Sequence, residues 1–153
     1  YWSLLVHTYI NKNFYGLDKN GTFIFKYNCN KHNFSREVSH NIESLKARET
    51  SRKFSVRYDH IEVTEDNMYL FDSKYYQEID GLNYKQFSYD VISRTHYNRV
   101  ETINNSLILP TDGESYAKVH LDTRDIKGPS SGILIMENYL NVKELISNYL
   151  VYD

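Results

Sequence analysis

The chain has 153 residues, of which 41% are hydrophobic, and a formal net charge of −2. These values predict a single domain over residues 1–153 with its own core, and they count against a strongly basic, stand-alone nucleic-acid binder. The single cysteine, Cys29, excludes a disulfide framework and a cysteine-rich zinc site. Without an apolar run of roughly 20 residues or a signal-peptide pattern, the sequence favours a cytoplasmic protein with no membrane partner. Since the sequence starts at Tyr1 without a methionine, directly inside an amphipathic pattern, we expect a domain of a longer chain or a processed chain.

Hydrophobic spacing predicts the helices and strands in chain order. The first residues place apolar side chains at i, i+3, i+4 and i+7, which is typical of an amphipathic helix. Val38, Ile42 and Leu45 predict a short helix, and Asn141 with Glu144 forms the capping pattern of the last helix. The predicted order is a helix over 2–14, a strand over 22–27 after the turn Lys19-Asn20-Gly21, a helix around 38–45, strands over 54–63 and 68–74, a helix over 82–96, strands over 103–109, 116–121 and 133–136, and a helix from 142. This order predicts an α/β (α+β) fold, a mixed sheet flanked by helices.

Two of the predicted strands form a hairpin that brings acidic residues together. If Thr64 lies opposite Asn67, counting along both strands places Asp59 opposite Asp72. Directly opposed side chains have Cβ atoms about 4.5–5.5 Å apart, so two carboxylates there repel each other unless a cation lies between them. Because side chains alternate along a strand, one face is predicted to be the core face, with Asp59, Ile61, Val63, Met68, Leu70, Asp72 and Lys74. The opposite face is predicted to be more solvated, with His60, Glu62, Asn67, Tyr69, Phe71 and Ser73.

These residue types suit phosphodiester hydrolysis. A hard cation held by carboxylates leaves positions open for water and phosphate, and a nearby positive group stabilises developing negative charge. Lys74 follows Asp72 by two residues and so shares its face, and the carbonyl oxygen of the intervening Ser73 could add a metal ligand. A structural salt bridge on the sheet is the alternative interpretation of the same residues.

Asp59 followed by Asp72-Ser73-Lys74 resembles the PD-(D/E)xK motif of restriction-endonuclease-like nucleases, with Tyr58 where the family has proline. The run Phe71–Tyr76, with Lys85-Gln86 on the next predicted helix, resembles restriction enzymes of the LlaJI type and their McrC-like relatives. The likeness covers residues 54–150 in outline, and only these short segments are specific.

The resemblance implies a restriction-endonuclease-like fold and Mg²⁺-dependent cleavage of double-stranded DNA, with Mn²⁺ able to substitute. It implies that Asp59 and Asp72 bind the metal, that Lys74 orients or activates water, and that Gln86 supports the site from its helix. It further implies the cleavage domain of a prokaryotic or phage-type restriction enzyme, acting as a homodimer or with a partner subunit.

Many such nucleases also carry an acidic residue on the first helix, which has none here. Ser3 and His7 are the polar candidates on that helix, and Glu37 or Glu43 could replace the missing acid. The metal stoichiometry therefore stays open.

Basic and aromatic residues near the site predict DNA contacts. Tyr75 and Tyr76 could stack on bases or contact phosphate, although packing at the rim of the core would explain them equally well. His120 and Asp122 share a strand face, where a surface pair is favoured over a metal or general-base role. The predicted phosphate contacts, which a solvated surface would also explain, are Lys46, Arg48, Arg52, Lys53 and Arg57.

Two other classes of function stay open on sequence. A non-catalytic binding module that keeps the nuclease scaffold is favoured by the missing first-helix acid and the mild net charge. A tyrosine-rich protein-interaction domain, of the immunity or viral surface type, predicts a β-dominated fold in which Asp59 and Asp72 lie far apart.

Overall fold

A computed structural model of the protein describes residues 1–46, 53–76 and 79–152, without the side chains of 43–46, 53 and 152. The helices are α1 (Trp2–Asn13), α2 (Tyr84–His96) and α3 (Val142–Tyr152). The strands are β1 (Phe14–Leu17), β2 (Phe23–Phe25), β3 (Ser35–Lys46), β4 (Lys53–Val63), β5 (Asn67–Ser73), β6 (Thr102–Thr111), β7 (Tyr116–Asp122) and β8 (Leu134–Asn141).

Six of these strands form a mixed sheet in the order β3-β4-β5-β6-β8-β7, and β1 and β2 form a separate hairpin. The strands β3, β4 and β5 are antiparallel neighbours, whereas β6 runs parallel to β5 and β8 runs parallel to β6. A parallel neighbour requires a crossover, which α2 provides between β5 and β6. The predicted mixed sheet with flanking helices is confirmed.

Both faces of the sheet are covered. On the α2 side, a core cluster contains Ile42, Val56, Tyr58, Ile61, Met68 and Leu70. On the other side, α1, α3 and the β1–β2 hairpin form a larger cluster with Phe14, Phe23, Phe34, Phe71 and Leu145. The prediction that the face with His60 and Phe71 is more solvated is therefore wrong, because both residues are fully buried under this second layer.

The predicted short helix around 38–45 is also wrong, because these residues belong to β3, which pairs with β4. Exposure alternates from residue 35 to residue 42, as expected for an edge strand. Arg36 and His40 are polar although they occupy half-buried positions of the strand. They therefore hide the alternation of hydrophobic and polar residues that would indicate a strand. The four-residue spacing of Val38 and Ile42 then imitated a helix.

The cap of α3 and the first turn agree with the sequence. Asn141 accepts a hydrogen bond from the Glu144 backbone N–H at 2.9 Å, which is the predicted start of α3. Gly21 adopts a φ of +88°, and a Cβ at this position would lie 2.6 Å from Cγ of Met136, so both the turn and its packing require glycine. Among the described residues, none of the helices has the length and apolar character needed to cross a bilayer.

Candidate active site

The β4–β5 hairpin has the predicted register. Thr64 N–H donates to the Asn67 carbonyl at 2.8 Å across the turn. The paired residues are His60 with Phe71, Ile61 with Leu70, Glu62 with Tyr69 and Val63 with Met68. The described ladder ends at His60, one residue before Asp59 would pair with Asp72. Beyond that point the Ser73 N–H donates to Oδ2 of Asp59 at 2.9 Å, so a carboxylate accepts the main-chain hydrogen bond where the ladder stops.

The backbone is irregular at the level of Asp59. Tyr58 and Ile61 both pack in the cluster on the α2 side, whereas His60 stacks against His7 on α1. The register of β3 with β4 brings Glu37 opposite Asp59, and Glu37 has a φ of +54°. The side-chain alternation therefore changes phase here, which leaves Asp59 at the end of the regular hairpin.

Asp72 lies between two lysine ammonium groups. Its side chain is only 4% exposed, with Nζ of Lys74 2.9 Å from Oδ2. Nζ of Lys85, from the first turn of α2, lies 3.3 Å from Oδ1. Each oxygen of this buried carboxylate thus lies near a cation, which offsets the cost of burying its charge. Among the described residues only Oδ1 accepts a hydrogen bond, from Lys85, and Oδ2 accepts none. The sequence assigned no separate role to Lys85, although it forms part of the Lys85-Gln86 segment that carried the resemblance.

The two carboxylates and the lysines shift one another's pKa values. Burial raises the pKa of Asp59, and the charge of Asp72 raises it further against the opposing effects of the Ser73 N–H, Lys85 and Lys74. Burial lowers the pKa of Lys74, but the short contact with Asp72 and the charges of Asp72 and Asp59 outweigh it, so the pKa is raised. Lys74 is therefore an ammonium ion at neutral pH. It can orient water and stabilise negative charge, but it cannot accept a proton.

Gln86 lies beneath the site and holds α2 on the sheet. Its Nε2 donates to the Leu70 carbonyl at 3.2 Å and to Oδ1 of Asn105 at 2.7 Å, which connects the helix to β5 and β6. Asn105 in turn donates to Oδ2 of Asp90 on α2 at 2.9 Å. No hydrogen bond of the described residues joins Gln86 to Asp59, Asp72 or Lys74. Its catalytic role stays a prediction.

The donor set suits a hard divalent cation. The described residues contain no group of three or more His, Cys, Asp or Glu side chains that could hold a metal. Mg²⁺ needs only one or two carboxylates, because it keeps several waters and takes substrate phosphates as ligands. Burial and the charge of Asp72 both raise the pKa of Asp59, and a bound cation would offset both effects. Asp59 and Asp72 therefore fit Mg²⁺, provided that one lysine gives up its oxygen.

The residues considered in place of the missing acid are engaged elsewhere. Glu37 lies 3.6 Å from the guanidinium groups of both Arg36 and Arg57. Ser3 accepts a hydrogen bond from Nε of Arg36 at 3.4 Å, and His7 stacks with His60 on the face opposite the α2 cluster. The side chain of Glu43 lies outside the described residues.

Ser73 connects the two faces of the sheet. Its N–H holds Asp59, while its Oγ lies 2.6 Å from Nε2 of buried His60. These contacts involve the amide and the hydroxyl, so the carbonyl of Ser73 as a metal ligand stays a prediction.

The predicted DNA contacts are described only in part. Arg48 and Arg52, with the side chains of Lys46 and Lys53, lie outside the described residues. Arg57 is exposed apart from its ion pair with Glu37. Tyr75 and Tyr76 are both exposed. They line a cavity of about 330 Å³ at the carboxyl ends of β5 and β6. Its other lining residues are Pro110, Thr111, Asp112, Gly113, Tyr116 and Val142.

His120 and Asp122 do not form the predicted surface pair. The register of β7 shifts between Val119 and Leu121, which breaks the alternation assumed from the sequence. The side chain of His120 is only 4% exposed, with Nδ1 2.8 Å from Oε2 of Glu137, and its Nε2 accepts the Asn83 N–H at 3.0 Å. Asp122 instead pairs with Arg124 at 2.8 Å on the surface. His120, on β7, thus links the start of α2 to β8 through its contacts with Asn83 and Glu137.

No protein-family model matches the sequence, and no curated protein matches it. A functional assignment consequently rests on the chemistry of the described residues. The feature best suited to catalysis is a group of two carboxylates and two ammonium groups. It lies where β4 and β5 separate and α2 begins.

Proposed function

We propose that the protein is a Mg²⁺-dependent endonuclease that hydrolyses phosphodiester bonds of double-stranded DNA, as the cleavage domain of a restriction enzyme does. The observation that carries the proposal is the convergence of Asp59, Asp72 and Lys74 at one end of a hairpin. The charge of Asp72 acts on Asp59, and Lys74 contacts Asp72 directly. Such a group of charges would be costly to bury without a function.

Each residue then has a separate role. Asp59 and Asp72 hold the cation, with the Ser73 carbonyl as a further oxygen ligand. The cation, when bound, polarises the phosphate and supplies a water of lowered pKa. Lys74 remains protonated and stabilises negative charge on the phosphate oxygens. Gln86 holds α2 against the sheet and so keeps the site in shape.

The substrate follows from the surroundings. Exposed Arg57 and the basic segment that includes Lys46, Arg48, Arg52 and Lys53 would contact phosphates. Tyr75 and Tyr76 would stack on bases or contact the backbone beside Lys74. Cutting both strands of a duplex requires two active sites. We propose that a homodimer or a partner subunit provides the second one. We place this activity inside a prokaryotic cell.

A plasmid cleavage assay tests the proposal. The wild type should nick or linearise supercoiled plasmid with Mg²⁺ or Mn²⁺ and not with a chelator. Lys74→Ala should lower the rate at least about 100-fold, as expected when a group that stabilises transition-state charge is lost. Lys143→Ala, which removes an exposed lysine from α3, is the matched control and should cleave at the wild-type rate. Cleavage without metal, or unchanged cleavage by Lys74→Ala, would overturn the mechanism.

A non-catalytic binding module is the second candidate. It is favoured by the lysine partner at each oxygen of Asp72 and by the absence of an acidic residue from α1. Such a module should give no carboxylate-dependent heat when titrated with Mn²⁺. The third alternative, a tyrosine-rich interaction domain, required Asp59 and Asp72 to lie far apart. Instead, Asp59 holds the N–H of the residue that follows Asp72.

A further inference from the structure

Lys85 contacts the candidate metal ligand Asp72 differently from Lys74. The Lys74 ammonium lies 2.9 Å from Oδ2 and its side chain is 23% exposed. The Lys85 ammonium lies 3.3 Å from Oδ1 and its side chain is 45% exposed. The Lys85 contact has hydrogen-bond geometry, but it is the longer and more exposed of the two ion pairs, so water competes with it and screens it more.

The backbone of Lys85 is fixed although its ammonium group is half exposed. The preceding Asn83 caps α2 by accepting the Gln86 N–H at 2.9 Å, and the following Gln86 is bonded to Leu70 and Asn105. The Lys85 ammonium also lies 5.4 Å from the ring centroid of Tyr89, one turn along the helix. The backbone of Lys85 is therefore held beside Asp72, and its partly exposed ammonium group has two neighbours, the Asp72 carboxylate and the Tyr89 ring.

Helix stability does not explain a lysine at this position. Lys85 lies in the first turn of α2, which contains no acidic residue. A cation in the first turn is unfavourable, since the helix dipole is positive there. The partner that compensates Lys85 is Asp72, across the gap between helix and sheet. The ion pair with Asp72, and not the stability of the helix, therefore explains why a lysine occupies position 85.

We propose that Lys85 is a second catalytic lysine, which releases Asp72 when a divalent cation binds and then contacts the scissile phosphate. This inference rests on the proposed function. Each oxygen of Asp72 lies near an ammonium group, and the more exposed Lys85 ammonium is the one that water can replace when a cation binds. The displaced ammonium would be available to donate to a non-bridging oxygen of a phosphate bound at the cation.

Two effects of opposite sign follow from this exchange. Removing the Lys85 charge removes a competitor for Asp72, so the affinity for the cation should rise. The same change removes a donor to the phosphate, so the cleavage rate should fall. A purely structural lysine would lower cation affinity and cleavage together, because its loss would disturb the carboxylates.

The test is calorimetric titration with Mn²⁺ alone, paired with plasmid cleavage at saturating Mn²⁺. Lys85→Gln should bind Mn²⁺ about 2- to 5-fold more tightly than the wild type, the range expected for a partly exposed ion pair. Its cleavage rate should fall at least about 10-fold. Lys85→Arg should keep the phosphate contact and regain part of the rate, because guanidinium groups also bind phosphate. Lys143→Gln is the control and should match the wild type in both measurements.

The outcomes separate this inference from the proposed function. If wild-type Mn²⁺ binding is absent or survives in Asp72→Asn, the proposed function fails, and the role of Lys85 fails with it. If the wild type binds Mn²⁺ through Asp72 and cleaves, but Lys85→Gln binds no more tightly or cleaves as fast, only the Lys85 inference is overturned. If Lys85→Gln does not fold, Lys85→Arg decides the question, and a loss of cleavage rate as large as the loss of about 10-fold expected for Lys85→Gln would overturn the inference.

Discussion

The two faces of the β4–β5 hairpin surround their buried ionisable groups differently, with charged partners on one face and aromatic rings on the other. On the α2 side, Asp72 is buried with an ammonium partner at each oxygen. On the α1 side, the neighbouring Phe71 packs among aromatic rings, and His60 is buried beside it. Burial, together with His7 and Arg36, lowers the pKa of His60 to about 3, so this histidine is neutral at physiological pH.

One residue along a strand therefore separates a charged environment from a neutral one. The face toward α1 carries aromatic packing that supports the fold, and the face toward α2 carries the groups suited to chemistry. Ser73 contacts both, through its N–H to Asp59 and its hydroxyl to His60. We expect substitutions on the two faces to separate stability from activity.

The largest expected effect is on the aromatic face. The ring of Phe71 lies 4.7 Å from Phe23, 5.4 Å from Phe34 and 5.5 Å from Phe14, measured between centroids. Phe71→Ala should lower the free energy of unfolding by about 3–5 kcal/mol in urea, because it leaves a cavity. Tyr27→Ala, which truncates an exposed ring, should change it by less than about 0.5 kcal/mol. A loss below about 1 kcal/mol in Phe71→Ala would refute the structural role of this face.

The next effect concerns the pH dependence of stability. The pKa of His60 is lower in the folded protein than its ordinary value of 6.5, so the unfolded state binds the extra proton as pH falls. The contribution of neutral His60 is present above pH 6.5 and is lost between there and about pH 3, at up to about 1.4 kcal/mol per pH unit. Urea unfolding between pH 5 and 7 should give a shallower slope for His60→Gln than for the wild type. Equal slopes would contradict the neutral, buried state of His60.

The smallest effect on stability is expected on the charged face. Asp72→Leu replaces a buried carboxylate by an apolar side chain, and both lysines can turn toward water. Its free energy of unfolding should stay within about 1 kcal/mol of the wild type, while plasmid cleavage is abolished. A loss as large as that of Phe71→Ala would show that Asp72 is structural and would remove the distinction between the two faces.

Local patterns in the sequence were sufficient to predict the hairpin. The turn between Thr64 and Asn67 sets the register, and a slip by one residue would have moved Ile61 and Leu70 to the wrong face. Edge strand β3 was missed because Arg36 and His40 interrupt its alternating pattern. The second buried face was missed because it depends on α1 and α3 folding over the sheet, which no local pattern reveals.

The sequence predicted part of the site, as it predicted part of the fold. The proximity of Asp59, Asp72 and Lys74 follows from the hairpin register, but the separation of the strands before Asp59 does not. Lys85 was not assigned a role, because its direction depends on how α2 is rotated on the sheet. That rotation is set by contacts of Gln86 and Asn105 between elements distant in sequence.

The irregular backbone at Glu37 has a consequence for assembly. The strands β3 and β7 are the two edges of the sheet, and an uninterrupted edge is a template on which another chain can add a strand. The left-handed residue Glu37 interrupts one edge, and the register shift after Val119 interrupts the other. Both edges therefore resist open-ended growth into fibrils. If two copies act together on one DNA duplex, as proposed, we expect them to associate through helices or loops and not by pairing the edges of their sheets.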